Sequence, residues 1–534
     1  MLDIRDLHIP LPGTGERAFA VRGLNLAMAD RELVCIVGES GSGKSLTARA
    51  VMGLLPDLGL RASRGEIMFK GRDVLRLPEA SLGALRGAEM SMIFQEPMTA
   101  LNPLMRVGDQ VGELFRIHQG GLPRRARRER VVELLAEMSL PEPRRLAESY
   151  PFEMSGGQRQ RVMIAMAFAL GPSLLIADEP TTALDVTTQI QILRSLRRMQ
   201  EERGTAVLFI THDFGVVAEI ADRVAVMRRG ELVEEGKAAD VLRAPRHDYT
   251  RALIASVPRI PGPSEVPIEP SSRPVALSVE GLHKTFARRG GLFARRLRVD
   301  AVAGVSFVLA EGETLGIVGE SGSGKTTLSR CLVRLMRPDR GRILLGGEDL
   351  GTLSGRALRD RRRAIQMVFQ DPHGSLNPRM KVGDIVAAGP IAHGTPVAAA
   401  REIASRLLDL VGLDAAAADR HPHQFSGGQR QRIGLARTLA LEPKVLIADE
   451  PVSALDVTIQ AQILDLLRDI RRRLGLAMVF ITHDLRVAAE IADRIIVMRS
   501  GKIVEQGTPS AIFHWPQHDY TRQLIASIPG RGAI

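Results

Sequence analysis

The stretch Leu33-Val34-Cys35-Ile36-Val37-Gly38-Glu39-Ser40-Gly41-Ser42-Gly43-Lys44-Ser45 decides how this chain is read. Five apolar residues make the pattern of a buried strand, GESGSGKS follows, and a helix-competent segment opens near Leu46. A strand running into a glycine-rich turn and then a helix is a phosphate cradle. Glycines let backbone N–H groups close round an anion, and the helix start adds partial positive charge. In such a cradle Lys44 reaches the β- and γ-phosphates of a nucleotide and the Ser45 hydroxyl holds Mg²⁺. The same sentence is written again: Leu315-Gly316-Ile317-Val318 leads into Gly319-Glu320-Ser321-Gly322-Ser323-Gly324-Lys325-Thr326. One match can be an accidental glycine-rich turn. Two, each behind a strand pattern, argue against accident.

At 534 residues the chain exceeds one ordinary core and suggests two to four domains. Its 45% hydrophobic and 25% charged residues are globular values. A net charge of +11 favours an anionic partner such as nucleotide, nucleic acid or lipid headgroups, although arginines on solvated helix faces account for the same excess. No charged-then-apolar leader and no run of membrane-spanning length is present, so the expectation is a soluble, cytoplasmic chain. Cys35 and Cys331 support neither a disulfide framework nor a structural metal site, and both read as small buried hydrophobes.

Working outward from the two cradles, the chain is one module written twice. Gln95 pairs with Gln370, Ser155 with Ser426, Glu179 with Glu450 and His212 with His483, in the same order and with an offset that drifts only where loops differ. Residues 1–257 form the first module, Pro258–Pro274 a proline-rich linker, and 275–534 the second module. Leu2–Leu7 and Gly23–Met28 alternate apolar and polar residues and read as antiparallel strands, echoed by Leu277–Leu282. From Arg124 to Met138 a charged helix carries Val131, Val132, Leu134, Leu135 and Met138 as its apolar stripe. Leu174–Ala177 and Ala206–Ile210 are apolar strands, and between them Asp185 caps a helix that ends before Gly204. Strands alternating with helices imply a mostly parallel sheet covered on both faces, with ligand beyond the carboxyl ends of the strands. Arg288–Arg298, present only in the second module, reads as an exposed loop.

An aspartate closing an apolar strand can hold Mg²⁺, and a glutamate beside it can orient or deprotonate the water that attacks a γ-phosphate. Asp178-Glu179 and Asp449-Glu450 fit those roles. Such a pair is more often a solvated loop, and only its company with the phosphate cradle reverses that. His212 and His483 follow the next strand, where a neutral imidazole could touch the γ-phosphate or the attacking water; a lone histidine there is usually structural.

Met154-Ser155-Gly156-Gly157-Gln158-Arg159-Gln160-Arg161 and Phe425-Ser426-Gly427-Gly428-Gln429-Arg430-Gln431-Arg432 resemble the signature of ATP-binding-cassette ATPases, with Met and Phe in place of the usual Leu. Gln95 and Gln370 resemble the glutamine that couples nucleotide to the transport partner, and Ala183-Leu184-Asp185 and Ala454-Leu455-Asp456 the loop that crosses the dimer interface. The resemblance implies an α/β fold of two tandem P-loop (RecA-like) nucleotide-binding domains, each with an antiparallel β subdomain and a helical subdomain. It implies ATP and Mg²⁺, with Ser45, Gln95, Asp178, Thr326, Gln370 and Asp449 around the metal and Glu179, His212, Glu450 and His483 as catalytic residues. It also implies that Lys44 shares one ATP with Ser426, and Lys325 the other with Ser155, so that ATP closes the pair and hydrolysis releases it. The family's adenine-stacking aromatic has candidates in Phe19 and in Phe286 or Phe293, and Phe19 equally suits ordinary packing.

Glu96-Pro97-Met98-Thr99-Ala100-Leu101-Asn102-Pro103, Asp371-Pro372-His373-Gly374-Ser375-Leu376-Asn377-Pro378 and the tails beginning His247-Asp248-Tyr249-Thr250-Arg251 and His518-Asp519-Tyr520-Thr521-Arg522 resemble dipeptide, oligopeptide and nickel importer ATPases in a fused form. That implies integral membrane permease subunits, required by the absence of a membrane segment, and an extracytoplasmic solute-binding protein. It places the chain on the cytoplasmic face of the inner membrane, docking through Glu96–Met154 and Asp371–Phe425. The Arg124-Arg125-Ala126-Arg127-Arg128 run lies there, yet suits a solvated helix face better than a dedicated contact. No iron–sulfur cluster is expected, because the tails lack cysteines, and no nucleic acid. The alternative is a tandem protein acting on the ribosome or on nucleic acid, which the charge would suit. The short proline-rich linker, the absence of zinc-binding cysteines and the lack of aromatic–basic interleaving speak against it. One working and one degenerate site is disfavoured because both modules retain every motif. Short peptides lead as solute, with glutathione-like, peptide-antibiotic or nickel cargo open.

Overall fold

Alternating burial and continuous burial build two different sheets in each half of the chain. The computed structural model describes residues 1–12, 17–94, 100–181, 184–263, 273–288, 297–370, 372–453 and 455–531. Its first half forms strands β1 (Leu2–Pro10), β2 (Phe19–Met28), β3 (Leu33–Val37), β4 (Arg64–Phe69), β5 (Arg72–Asp73), β6 (Met90–Ile93), β7 (Leu174–Asp178), β8 (Ala206–Ile210), β9 (Arg223–Arg228) and β10 (Glu231–Lys237). Along β1 the buried residues Leu2, Ile4, Leu7 and Ile9 face one side, and the strand pairs antiparallel with β2 and β4 in a sheet ordered β2-β1-β4-β5. β3, β7 and β8 are buried at every position, as strands covered on both faces must be. They lie in a six-stranded sheet ordered β10-β9-β3-β8-β7-β6, parallel except for the antiparallel edge strand β10. Leu2, Ile4 and Phe69 from the first sheet share a core with Val34, Ile36, Ile176 and Leu208 from the second. Burying this apolar surface is the main favourable term in holding the two sheets together.

The second half repeats the plan with β11 (Val275–Arg288), β12 (Leu297–Ala310), β13 (Thr314–Val318), β14 (Arg340–Leu345), β15 (Glu348–Asp349), β16 (Ile365–Val368), β17 (Val445–Asp449), β18 (Ala477–Thr482), β19 (Arg494–Arg499) and β20 (Lys502–Gly507). Its sheets run β12-β11-β14-β15 and β16-β17-β18-β13-β19-β20. The chain divides into two compact units that follow the two halves except for residues 185–187 and the C-terminal residues from Ile528. Among the described residues no helix is long and apolar enough to cross a membrane.

A helical subdomain interrupts each half between its sixth and seventh strands. In the first, Val107–His118, Arg124–Glu137 and Pro143–Glu148 are helices, and Val131, Leu134, Leu135 and Met138 form the buried stripe while Val132 is only half-buried at its flank. Asp456 caps the helix Val457–Leu474 by accepting from the Ile459 N–H, and the corresponding helix of the first half, Val186–Arg203, ends before Gly204. The expected loop Arg288–Arg298 is corrected at both ends. Arg288 pairs with Leu297 and Ala287 with Arg298, so the insertion lengthens the β11–β12 hairpin because the antiparallel ladder simply continues; Arg289 to Arg296 lie outside the described residues.

The phosphate loops are wedged against the antiparallel sheets. Gly43 has φ 102°, and a Cβ there would sit 2.6 Å from the Ala20 carbonyl oxygen; Gly324 has φ 104° and its Cβ would sit 2.0 Å from that of Ala301. Both the left-handed backbone and the backbone wall exclude a side chain. Gly324→Ala is therefore expected to destabilise the protein by about 3 kcal/mol in urea unfolding, well beyond the ~1 kcal/mol span of an exposed glycine in open space.

Candidate functional site

Parallel pairing puts three strand ends side by side. β8 lies between β3 and β7, with Asp178 in register with Ile210 and Ile36 also in register with Ile210, so the loop after β3, the acidic pair after β7 and the histidine after β8 leave the sheet at one edge. In the second half β13, β17 and β18 repeat this, with Val318 in register with Thr482 and Asp449 with Ile481.

Within the loop, Lys44 is buried and donates to the Gly38 carbonyl at 2.7 Å, the Glu39 carbonyl at 2.8 Å and the Ser42 hydroxyl at 3.4 Å. Lys325 does the same to Gly319 at 2.6 Å, Glu320 at 2.9 Å and Ser323 at 3.5 Å. Burial holds the Lys325 ammonium below its usual range, opposed by the Glu450 and Asp449 carboxylates. Gly41 and Gly322 have φ 76° and 80°, and Ser40 and Ser321 lie on the exposed rim.

The acidic pairs carry the electrostatics. Ser45 donates its hydroxyl to Asp178 at 2.9 Å, joining the two residues expected round one metal. In the second half the hydroxyl on Asp449 belongs instead to Ser329, one turn beyond Thr326, at 2.8 Å. Ser329 was not legible as a site residue, because its counterpart in the first half is Ala48 and only a side-by-side reading of the two helices exposes the difference. Burial raises both aspartates above the usual carboxylate range, with the serine hydroxyls opposing it.

Glu179 and Glu450 sit in the left-handed region at φ 47° and 48°, an uncommon conformation for a non-glycine residue, while their N–H groups still bond to Ile210 and Ile481. The turn brings Glu179 Oε1 to 3.2 Å from His212 Nδ1 and Glu450 Oε2 to 3.4 Å from His483 Nδ1. Gln370 joins them, donating to Glu450 Oε2 at 2.9 Å. Burial would lower both histidines, but the glutamate hydrogen bond and charge outweigh it and raise them. Burial would raise Glu450, and His483, Lys325 and Gln370 together hold it below the usual range. Gln95 lies outside the described residues, as do Ala183 and Ala454.

The signature serines cap helices. Ser155 accepts from the Gln158 N–H at 3.3 Å while Gln158 accepts from the Ser155 N–H at 2.9 Å; Ser426 and Gln429 repeat this at 3.4 and 3.0 Å. Both serines are exposed. Gly157 and Gly428 admit a neighbouring helix, since a Cβ would meet Thr188 at 2.7 Å and Ile459 at 2.5 Å, whereas Gly156 and Gly427 face open space or a distant Leu455. Of the adenine candidates, Phe19 packs edge-on against His8, Phe286 is exposed on β11 and Phe293 lies outside the described residues.

A family model described as ABC transporter matches residues 21–182 and again 302–453. The chain is an ATPase of the ABC transporter family. A second model, the C-terminal region of oligopeptide/dipeptide transporters, matches residues 233–296 and 504–533 of this ABC ATPase. The chain is 47% identical over 530 residues to the peptidoglycan transport ATP-binding protein YejF of Agrobacterium fabrum, covering 99% of this chain and 96% of that one. It is 46% identical over 559 residues to the glutathione import ATP-binding protein GsiA of Salmonella typhimurium, covering 99% and 89%. Each half is thus one cassette of a tandem ABC protein.

Ser329→Ala, which installs the first cassette's residue, should cost about 1–2 kcal/mol in denaturant unfolding, because buried Asp449 loses its hydroxyl partner. The histidine–glutamate pair predicts a pH window. A raised histidine stabilises the fold below its unfolded pKa and loses that contribution as pH rises through the folded value. A lowered glutamate contributes above its unfolded pKa and loses it as pH falls through the folded value. The gap in melting temperature between the wild type and His483→Ala should be widest between about pH 4.3 and about 6.5, the two unfolded values, and narrow on the alkaline side.

Proposed function

We propose that this ABC ATPase is the energy-coupling subunit of an importer for short peptides or peptide-bearing solutes. It works on the cytoplasmic face of the cell membrane, with integral membrane permease subunits and an extracytoplasmic solute-binding protein. Support comes from the relatives named for peptidoglycan transport and glutathione import, both peptide-containing solutes, and from the oligopeptide/dipeptide C-terminal region matched twice. The ribosome or nucleic-acid alternative gains nothing from those relatives. Residues 1–257 and 275–534 are proposed as the two ATP-binding domains joined by Pro258–Pro274. The helical stretches within Glu96–Met154 and Asp371–Phe425 are proposed as the permease-docking parts.

In this reading the phosphate loops, with Lys44 and Lys325, bind the β- and γ-phosphates of ATP. The donor set suits a hard divalent cation: Asp449 Oδ1 is buried and has no hydrogen-bond partner among the described residues, and Asp178 already sits on the Ser45 hydroxyl. Ser45 and Asp178, and Thr326 and Asp449, would hold Mg²⁺, which when bound neutralises phosphate charge. Glu179 and Glu450 orient the attacking water and take its proton; His212 and His483 keep those carboxylates aimed, and His483 helps hold Glu450 in its ionised form. Ser155 and Ser426, with the glycines after them, are exposed helix starts suited to binding phosphate.

The observation that carries the reading is the meeting of Gln370, Glu450 and His483 on one carboxylate beside the loop that holds Lys325. Glu179→Gln and Glu450→Gln should each lower ATPase turnover by about 100-fold or more, with polytopic membrane proteins copurifying with either variant. Wild-type turnover in one of them would remove that cassette from the catalytic account.

A further inference from the structure

The tails singled out by His247-Asp248-Tyr249 and His518-Asp519-Tyr520 have no place in the chemistry above, yet they reach into both phosphate loops. The Glu39 N–H donates to the Tyr249 phenol oxygen at 3.2 Å, and the Glu320 N–H to that of Tyr520 at 3.0 Å. The peptide unit involved is the one whose carbonyl, Gly38 or Gly319, receives the lysine ammonium at 2.7 or 2.6 Å. A trans peptide is planar with its N–H and C=O pointing opposite ways, so the phenol and the lysine grip one rigid plate from its two sides. This plate needs an outside restraint, because the residue before its N–H is a glycine at φ 150° or 156°, whose own backbone preferences oppose rotation least.

The phenol is itself held from outside the loop. Tyr249 is buried beneath the Arg228 guanidinium, 4.9 Å from the ring centre, and Tyr520 beneath Arg499 at 4.8 Å. The Glu234 carboxylate on β10 accepts from the N–H groups of Arg246 and His247 at 2.7 and 3.0 Å, and His247 Nδ1 caps the tail helix Asp248–Ala255 by accepting from the Tyr249 N–H at 3.1 Å. Glu505 and His518 repeat this for the helix Asp519–Ala526. Burial pushes the Tyr520 phenol up to about 12, so it stays neutral and can accept from the loop while also engaging the Glu320 side chain. The construction is repeated in both cassettes on nearly the same tail sequence, and in each the guanidinium and the capped helix hold the ring without its oxygen.

We infer that Tyr249 and Tyr520 are positioning residues for ATP binding: each phenol oxygen, delivered by the C-terminal tail of its own cassette, orients the Gly–Glu peptide of the phosphate loop and through it the lysine that meets the phosphates. The inference rests on the phosphate-loop reading of Lys44 and Lys325. Tyr249→Phe/Tyr520→Phe in the full chain keeps the rings and the guanidinium stacking and removes only the oxygens. It should raise the KM for ATP roughly five-fold, the worth of one hydrogen bond, with kcat within about two-fold. Leu253→Val/Leu524→Val, on the same helices, is the matched control, because it loosens tail packing without touching the loop; it should lower the melting temperature and leave KM where it was. An unchanged KM in the phenylalanine variant, or an equal rise in the valine control, overturns the inference. Should the double variant not accumulate as folded protein, Tyr520→Phe alone is read by the equilibrium affinity for a fluorescent ATP analogue, where wild-type affinity is equally fatal. Lys44→Ala/Lys325→Ala separates the two levels: retained ATP binding there sinks the phosphate-loop reading, whereas lost binding there with unaltered phenylalanine variants sinks only the role of the tyrosines.

Discussion

Each cassette depends on the parallel backbone ladder that places one strand between two others. Because β8 is hydrogen-bonded to both β3 and β7, the glycine loop, the acidic pair and the histidine emerge at one edge although they lie far apart along the chain. A one-residue slip in that ladder would turn every side chain to the opposite face and separate the three. The continuous apolar burial of these strands makes such a slip costly, and the antiparallel sheet packed on the same core closes the loop from outside.

On that edge, charge is managed by local pairing. Buried carboxylates and ammonium groups are expensive unless partnered. Here Lys44 and Lys325 rest on loop carbonyls, Asp178 and Asp449 on serine hydroxyls, and Glu179 and Glu450 on imidazoles. The two cassettes reach this with slightly different parts. Ser45 serves Asp178 from the first helical turn, whereas Ser329 serves Asp449 from the second, and among the described residues Asp449 Oδ1 meets no hydrogen-bond partner. Duplication has preserved the arrangement of charges more closely than the residue that supplies each bond.

Much of this was legible beforehand because the motifs are local. A strand, a glycine turn and a lysine are read in one short window, and the repeat of that window reveals two cassettes. The signature serines were likewise readable, and their capping boxes with Gln158 and Gln429 are sequence-local. Less legible were features defined by distance in the chain. The Gln370 amide on Glu450 and the Ser329 hydroxyl on Asp449 join residues far apart in sequence, and the Arg288–Arg298 insertion, which reads as loop, continues a ladder at both ends. Val132 belonged to a helical stripe by spacing, yet only packing shows that Val131, Leu134 and Leu135 carry the contact.

The amino-acid order by itself determined the α/β class, the duplication and the ATPase family, because each depends on neighbours along a strand, a turn or a helix start. The tertiary structure alone decided which carboxylate each amide, hydroxyl and imidazole meets, and that a tyrosine some two hundred residues beyond each glycine turn grips its backbone. Those pairings are made across strands and between sheet and tail. Their geometry follows from how buried surfaces stack, which the local periodicity of a chain does not encode.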